Sequence, residues 1–369
     1  MNRNLRRSCN LIYSIVLAGG KGERFWPLSR SARPKQFLKL TSEKMMLVET
    51  IDRVEELIPY DRCRIVTSKS METFILNNVE RLNKENIIAE PRGRNTCIAI
   101  GLAAVHLQYD DPDAVMVVLS ADHLIKPPEK LRQILKEGCE IAQTQDCLIT
   151  IGIIPTRAET GYGYIKQGDV FEHSGKYDVY KVAAFTEKPK APVAHEYYYS
   201  QNYLWNSGMF IWSCKSILNA IEKYQPELYE HLKKYAEQIG TDNEEKAREV
   251  LFNDVASISI DFAVLEYADN VLAIKADIVW DDVGGWNALK RYKKITEDNN
   301  VLIGDTLVLD TYETTIYNEE DGIIACLGVS DLVIVRTDNI TMVARRSEVD
   351  RVKELINELN KDEKNKKYL

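Results

Sequence analysis

Apolar residues along the first part of the chain follow two alternating rhythms. Short β-branched runs (LIYSIVLA, CRIVTS, NIIAE, AVMVVLS and CLITIGI) have strand length, and between them lie stretches with helical spacing: MLVETIDRVEELI, METFILNNVERLN, NTCIAIGLAAVHLQ and PEKLRQILKEGCEIAQ. Strand and helix in alternation predict a mixed, mostly parallel sheet covered on both faces, a doubly wound, Rossmann-like α/β core whose ligands gather at the carboxyl ends of the strands. From about Gly152 the rhythm changes to GYGYI, a strand-like YKVAAFTEKP and the aromatic run YLWNSGMFIW, with polar helices between about Ser216 and Arg248. This part is expected to be an insertion that builds a second wall for a pocket. Beyond about Lys294 short strands and turns take over, and the helix SEVDRVKELINELNK closes the chain. The pattern divides the protein into a large domain over 1–294 and a small C-terminal β domain over 295–369, whose strand-and-turn spacing resembles the rungs of a β-helix.

Composition narrows the picture. With 369 residues and 45% hydrophobic content the chain can bury one large core, or one large and one small. No apolar run approaches the roughly 18–20 residues of a membrane span, so no membrane role is expected. The basic start MNRNLRRSCN lacks a cleavage site and reads as a tail before the first strand. Seven cysteines, without a CxxC pair or a nearby His at zinc spacing, point to a reducing, cytoplasmic setting in which most are small buried hydrophobes. A net charge of -8 argues against nucleic acid as a partner.

One segment runs against that charge. LAGGKGERFWPLSRSARPKQF, from Leu17 to Phe37, holds five cations (Lys21, Arg24, Arg30, Arg33 and Lys35) and a single Glu. A dinucleotide fingerprint starting at Gly20 would put its third glycine at Phe25, and a P-loop would need Ser or Thr after Lys21, where Gly22 stands. Both motifs fail, and with the first goes a dehydrogenase. What remains is Gly19, Gly20 and Gly22 at a strand end, where backbone N–H groups can turn toward an anion such as phosphate. The alternative is a solvated surface loop, against which the stiffening FWPLS argues.

LAGGKGERFWPLSR followed by PKQF resembles the signature of sugar-1-phosphate nucleotidylyltransferases, and WPLSR and PKQF resemble the mannose-1-phosphate guanylyltransferase branch. EPRGRNT, LSADH, GYGYI, FTEKP, WNSGMF and WDDVGGW agree in the same order, across nearly the whole chain. The resemblance implies a nucleotide-diphospho-sugar transferase fold with a catalytic domain over 1–294. It also implies transfer of GMP from GTP to mannose 1-phosphate, with release of pyrophosphate. Two strongly anionic reactants must then be screened and aligned by cations and a divalent metal, while a phosphate monoester with a second pKa near 6 needs no general base.

On the same resemblance Lys21, Arg24 and Lys35 are catalytic. Leu17, Ala18, Gly19, Gly20, Lys21, Gly22, Arg24, Glu90, Pro91, Arg92, Asn95 and Asp122 bind the nucleotide, with Glu90, Pro91, Arg92 and Asn95 near guanine. Gly163, Glu187, Lys188 and Asn206 take the sugar phosphate. Asp122 and Asp282 are assigned to Mg²⁺ or another divalent cation, leaving Asp281 as a surface neighbour or a support behind the ligand. Other roles stand beside these: Asp122 alone would suit a turn cap, Asn95 or Thr96 a helix cap, and Glu187-Lys188-Pro189 a solvated turn. Cys97-Ile98 replaces the family's Ala-Pro and is expected to alter helix entry. Family members that carry a further cupin-type isomerase domain are longer, so the single-function form is expected, with a homodimer through the C-terminal domain. Remaining alternatives are another sugar phosphate or nucleotide, or a catalytically silent regulatory subunit.

Overall fold

The computed structural model describes residues 11–20 and 22–369, so the basic tail and Lys21 lie outside the described residues. Packing groups the chain into two compact units. The first comprises the chain through Gly19, Thr50–Ala121 and Ile125–Trp280; the second comprises Gly20–Glu49, Asp122–Leu124 and Asp281–Leu369.

The first unit is built on strands β1 (Ile12–Leu17), β2 (Cys63–Ser68), β3 (Ile87–Glu90), β4 (Val115–Ser120), β6 (Leu148–Ile153), β7 (Tyr164–Val170), β8 (Val179–Thr186), β9 (Tyr203–Ser213) and β10 (Val271–Ala276); β5 (Leu124–Lys126) lies outside their sheet. They form one nine-stranded sheet in the order β3-β2-β1-β4-β9-β6-β10-β8-β7. The β3-β2-β1-β4 side is parallel throughout, as the strand–helix alternation predicts. The segment after Gly152 joins the same sheet: β9 runs antiparallel between β4 and β6, and β7 and β8 extend it.

Alternation along β4 sorts the core. Met116 and Val118 face one hydrophobic cluster that includes the interior of helix α3 (Thr96–Asp110), while Val115, Val117 and Leu119 face a second that includes helix α4 (Pro128–Thr144). Helix α3 is apolar on nearly every side because it is sandwiched between the sheet and helices α6 (Cys214–Tyr224) and α7 (Pro226–Ala236). Helices α1 (Met46–Val54), α2 (Lys69–Asn78), α5 (Ala191–Ser200) and α8 (Glu244–Asp254) complete the set before the C-terminal region. Cys63, Cys97, Cys139, Cys147 and Cys214 are buried and unbridged, packing as small apolar side chains.

In the second unit, following β11 (Val279–Asp281), strands β12 (Val301–Ile303), β14 (Thr315–Asn318) and β16 (Leu332–Thr337) stack in parallel, with Val301, Thr315 and Val333 in register. The chain returns antiparallel as β17 (Ile340–Arg345) and ends in helix α9 (Val352–Leu359); β13 (Thr306–Leu309) pairs in parallel with β15 (Ile324–Leu327). Such rungs bury only one side each, and the glycine-loop segment supplies the missing apolar cover. Phe25, Trp26 and Leu28 pack with Trp286, Tyr317 and Val333. The ring of Trp286 lies 5.2 Å from Phe25 and 5.7 Å from Tyr317 between centroids, and its Nε1–H donates to the Trp26 carbonyl at 3.1 Å. Trp286→Ala should therefore cost about 3–5 kcal/mol, read as a lowered urea midpoint; an unchanged midpoint would mean this cluster does not hold the unit together.

Candidate functional site

The second unit places its cations in two distinct roles. Arg33 makes a fork onto Glu319 at 2.7 and 2.9 Å, and Arg30 pairs with Asp338, so these two tie the loop to the β-helix. Lys35 turns the other way. Its Nζ donates to Asp122 Oδ2 at 2.8 Å and to the backbone carbonyl of Asp282 at 2.7 Å. Gly22 permits this approach: it has φ of 63°, and a Cβ there would stand 2.1 Å from Lys35 Cβ. Arg24 lies alongside, its guanidinium donating to the Gly284 carbonyl at 3.4 Å.

These groups line a cavity of about 430 Å³ together with His123, Asp282, Gly284 and Lys353. Burial acts to raise the Asp122 carboxyl, and Lys35, His123 and the Lys35 and backbone hydrogen bonds together outweigh it, holding the group below its ordinary value. Among the described residues no cluster of three or more His, Cys, Asp or Glu forms a closed metal site. Two oxygen-bearing carboxylates in one open cavity instead suit a hard cation that completes its shell with water and phosphate oxygens. Asp281 is not a surface neighbour. It is buried, accepts the Val283 N–H at 2.7 Å and pairs with Arg291, so it fixes the backbone that presents Asp282.

Within the first unit, the expected base-side residues lie at the carboxyl ends of β1 and β3. Leu17 ends β1; the Ala18 N–H donates to the Val66 carbonyl at 2.8 Å, and its own carbonyl accepts from Thr67 at 3.1 Å. This pins the strand end just before Gly19. Gly19 leaves room for Glu90, whose Oε2 would be 3.4 Å from a Cβ there. Glu90 is only 4% exposed, its Oε1 has no hydrogen-bond partner, and burial pushes its carboxyl up to about 7. Arg92 points elsewhere, to Asn253 and to Glu249 at 2.8 Å, so helix α8 takes it. Asn95 caps helix α3, its Oδ1 accepting the Thr96 N–H at 2.9 Å with φ of 70°. Cys97 is fully buried and donates its N–H to the Ile258 carbonyl at 3.2 Å.

The expected sugar-side residues form another group in the same unit. A register shift between Thr150 and Gly152 sets Asn206 of β9 opposite Gly152. The Asn206 N–H donates to the Gly163 carbonyl at 2.8 Å, and a Cβ on Gly163 would lie 2.4 Å from Glu187 Oε2. Lys188, with φ of 46°, donates to Glu187 Oε1 at 2.5 Å. Sequence reasoning passed over Asp261, which accepts from Asn206 Nδ2 at 2.9 Å. The available signal was a single carboxylate in the otherwise apolar stretch around IDFAVL.

Comparison with known proteins agrees with this architecture. Residues 13–299 match the family model described as nucleotidyl transferase, and residues 304–359 match a MannoseP isomerase/GMP-like beta-helix domain. A mannose-1-phosphate guanylyltransferase of Escherichia coli is 36% identical over 352 residues, covering 94% of this chain and 75% of its own length. The mannose-1-phosphate guanylyltransferase RfbM of Salmonella typhimurium is 37% identical over 367 residues, covering 95% of this chain and 73% of its own. A crystal structure of mannose-1-phosphate geranyltransferase from Thermus thermophilus superposes with a TM-score of 0.84 at 32% identity, covering 95% of this chain and 99% of that one. The chain belongs to the nucleotidyl transferase family and, within it, to the mannose-1-phosphate guanylyltransferases. Among the described residues no helix is long and apolar enough to cross a membrane.

Glu90 yields a prediction whose sign follows from its shift. Its folded-state pKa of about 7 lies above the usual 4.5, so the folded protein holds this proton more tightly than the unfolded chain. The resulting stabilisation is complete below about pH 4.5 and is lost as pH rises through 7, a difference of roughly 3 kcal/mol. Glu90→Gln should remove that component, so that its stability relative to the wild type improves between pH 4.5 and pH 8 in urea unfolding. A constant difference between the two proteins would contradict the assignment.

Proposed function

We propose that the protein joins GTP and mannose 1-phosphate into GDP-mannose. A phosphate oxygen of the sugar phosphate attacks the α-phosphorus of GTP, a new P–O bond forms, and the bond to the β-phosphate oxygen breaks so that pyrophosphate leaves. The observation that carries this reading is the convergence of Lys35, Asp122 and Asp282 on one cavity lined also by Arg24. Asp122 and Asp282 would hold a divalent ion such as Mg²⁺, which supplies charge neutralisation for the triphosphate when bound. Lys35 keeps Asp122 ionised and oriented, and Arg24 adds positive charge at the same cavity, with Lys21 beside it in sequence. Glu90, at the carboxyl end of β3, is the base-side carboxyl, and guanine offers it N1–H and N2–H₂, an adjacent pair of donors that adenine and the pyrimidines lack. Glu187 accepts from sugar hydroxyls, and Lys188 meets the sugar phosphate.

The C-terminal domain also bears on assembly. Leu307, Leu309 and Leu327 are 61%, 62% and 69% exposed on the β13–β15 face, with Leu309 and Leu327 in register. A contiguous apolar strip of this kind favours pairing with a second copy. Light scattering should give twice the chain mass for the wild type and the single mass for Leu309→Glu/Leu327→Glu; a monomeric wild type would defeat the dimer.

The activity is tested by pyrophosphate release with GTP, mannose 1-phosphate and magnesium, against a panel of other nucleotides and sugar phosphates. Release should be strongest for the named pair. Asp122→Asn and Asp282→Asn should each lower kcat by about 10²-fold or more with the fold retained. Wild-type rates in either variant would refute the metal assignment, and no release with any sugar phosphate would favour a silent subunit.

A further inference from the structure

Asn206 has little left to offer a ligand. Its Oδ1 already accepts from the Thr150 hydroxyl at 3.1 Å and from the Gly208 N–H at 3.3 Å, and one amide hydrogen is committed to Asp261 Oδ1 at 2.9 Å. The amide therefore acts as a bracket that holds Asp261 in place. A second fastening comes from the other direction. The Ile260 N–H donates to Thr96 Oγ1 at 2.9 Å, and the Ile258 carbonyl accepts the Cys97 N–H at 3.2 Å, so the residues leading into Asp261 are tied to the start of helix α3.

Held this way, the half-buried Asp261 carboxylate accepts from Asn206 and from the backbone N–H of its own residue. It also interacts with a second carboxylate, Glu187, while Lys188 supplies opposing charge; burial first and Glu187 second push it up to about 6 despite these two hydrogen bonds. Glu266 is likewise raised by burial and by the same Glu187, so three carboxylates gather here beside the single charge of Lys188. Gly163 keeps a side chain out of the space beside Glu187 and Asn206. Neighbouring hydroxyls on a sugar ring present several O–H donors close together, which is the chemistry such a carboxyl pair lacks.

Resting on the sugar phosphate reading above, we propose that Asp261 is a sugar-specificity residue: bracketed by Asn206 and set beside Glu187, its carboxylate accepts hydrogen bonds from ring hydroxyls of the sugar 1-phosphate. A site that hydrogen-bonds a hydroxyl discriminates against analogues lacking it, because its own polar group then loses a partner. Thr96 acts at one remove, as a positioning residue that keeps Asp261 in register.

The test pairs Asp261→Asn, which preserves an acceptor for Asn206 while removing the charge, with mannose 1-phosphate and its 2-, 3- and 4-deoxy analogues. The variant should raise KM for mannose 1-phosphate about tenfold and leave KM for GTP within about twofold. With at least one deoxy analogue the penalty should shrink to less than about twofold, because the partner hydroxyl is already gone. A purely structural role would not give that coupling. An equal penalty with every analogue, or none with mannose 1-phosphate, overturns the proposal. Should Asp261→Asn lose the fold, Asp261→Ser enters the same cycle. A wild type that ignores mannose 1-phosphate but uses another sugar phosphate would defeat the substrate reading alone, and the cycle is then run on deoxy analogues of the sugar it does use.

Discussion

The ammonium of Lys35, shared between the Asp122 carboxylate and the Asp282 carbonyl, is the interaction on which the proposed chemistry depends. It joins three stretches far apart in sequence and keeps one carboxylate charged despite desolvation. Removing one partner of such a pair is costly because the other charge is left unpaired, so the arrangement resists relaxation. Its precision is borrowed from packing. Gly22 lets the Lys35 backbone come close, and the Phe25–Trp286–Tyr317 aromatic cluster fixes the loop from which Lys35 projects.

This explains why an acidic protein concentrates cations in one loop. Arg30 and Arg33 neutralise Asp338 and Glu319 and anchor the segment to the β-helix, while Lys35 and Arg24 remain at the cavity. The loop is therefore both a structural strap and a source of positive charge. Asp281 and Asp282 divide labour in the same way: one is spent on Arg291 and the local turn, and the other lines the cavity.

Much of this was legible in the sequence because it rests on local periodicity. The β–α alternation through Ile153 and the order of the motifs identify the parallel half of the sheet and the family. The place of β9 between β4 and β6 was not legible, since antiparallel insertion is decided by long-range pairing that no local pattern encodes. Charge was legible but its destination was not. Arg33 and Lys35 look alike in sequence yet one pairs with Glu319 and the other with Asp122, while Arg92 sits in a base-side motif and is taken by Glu249 and Asn253. Asp261 escaped notice because its significance comes from Asn206 and Glu187, each more than fifty residues away.

Asp122 and Asp282 are proposed to share one divalent ion beside the nucleotide phosphates. Anomalous diffraction from crystals grown with GTP and Mn²⁺ tests it most directly. A single strong peak contacted by both carboxylates and by phosphate oxygens is expected. A peak contacted by neither aspartate, with the triphosphate bound, would contradict it.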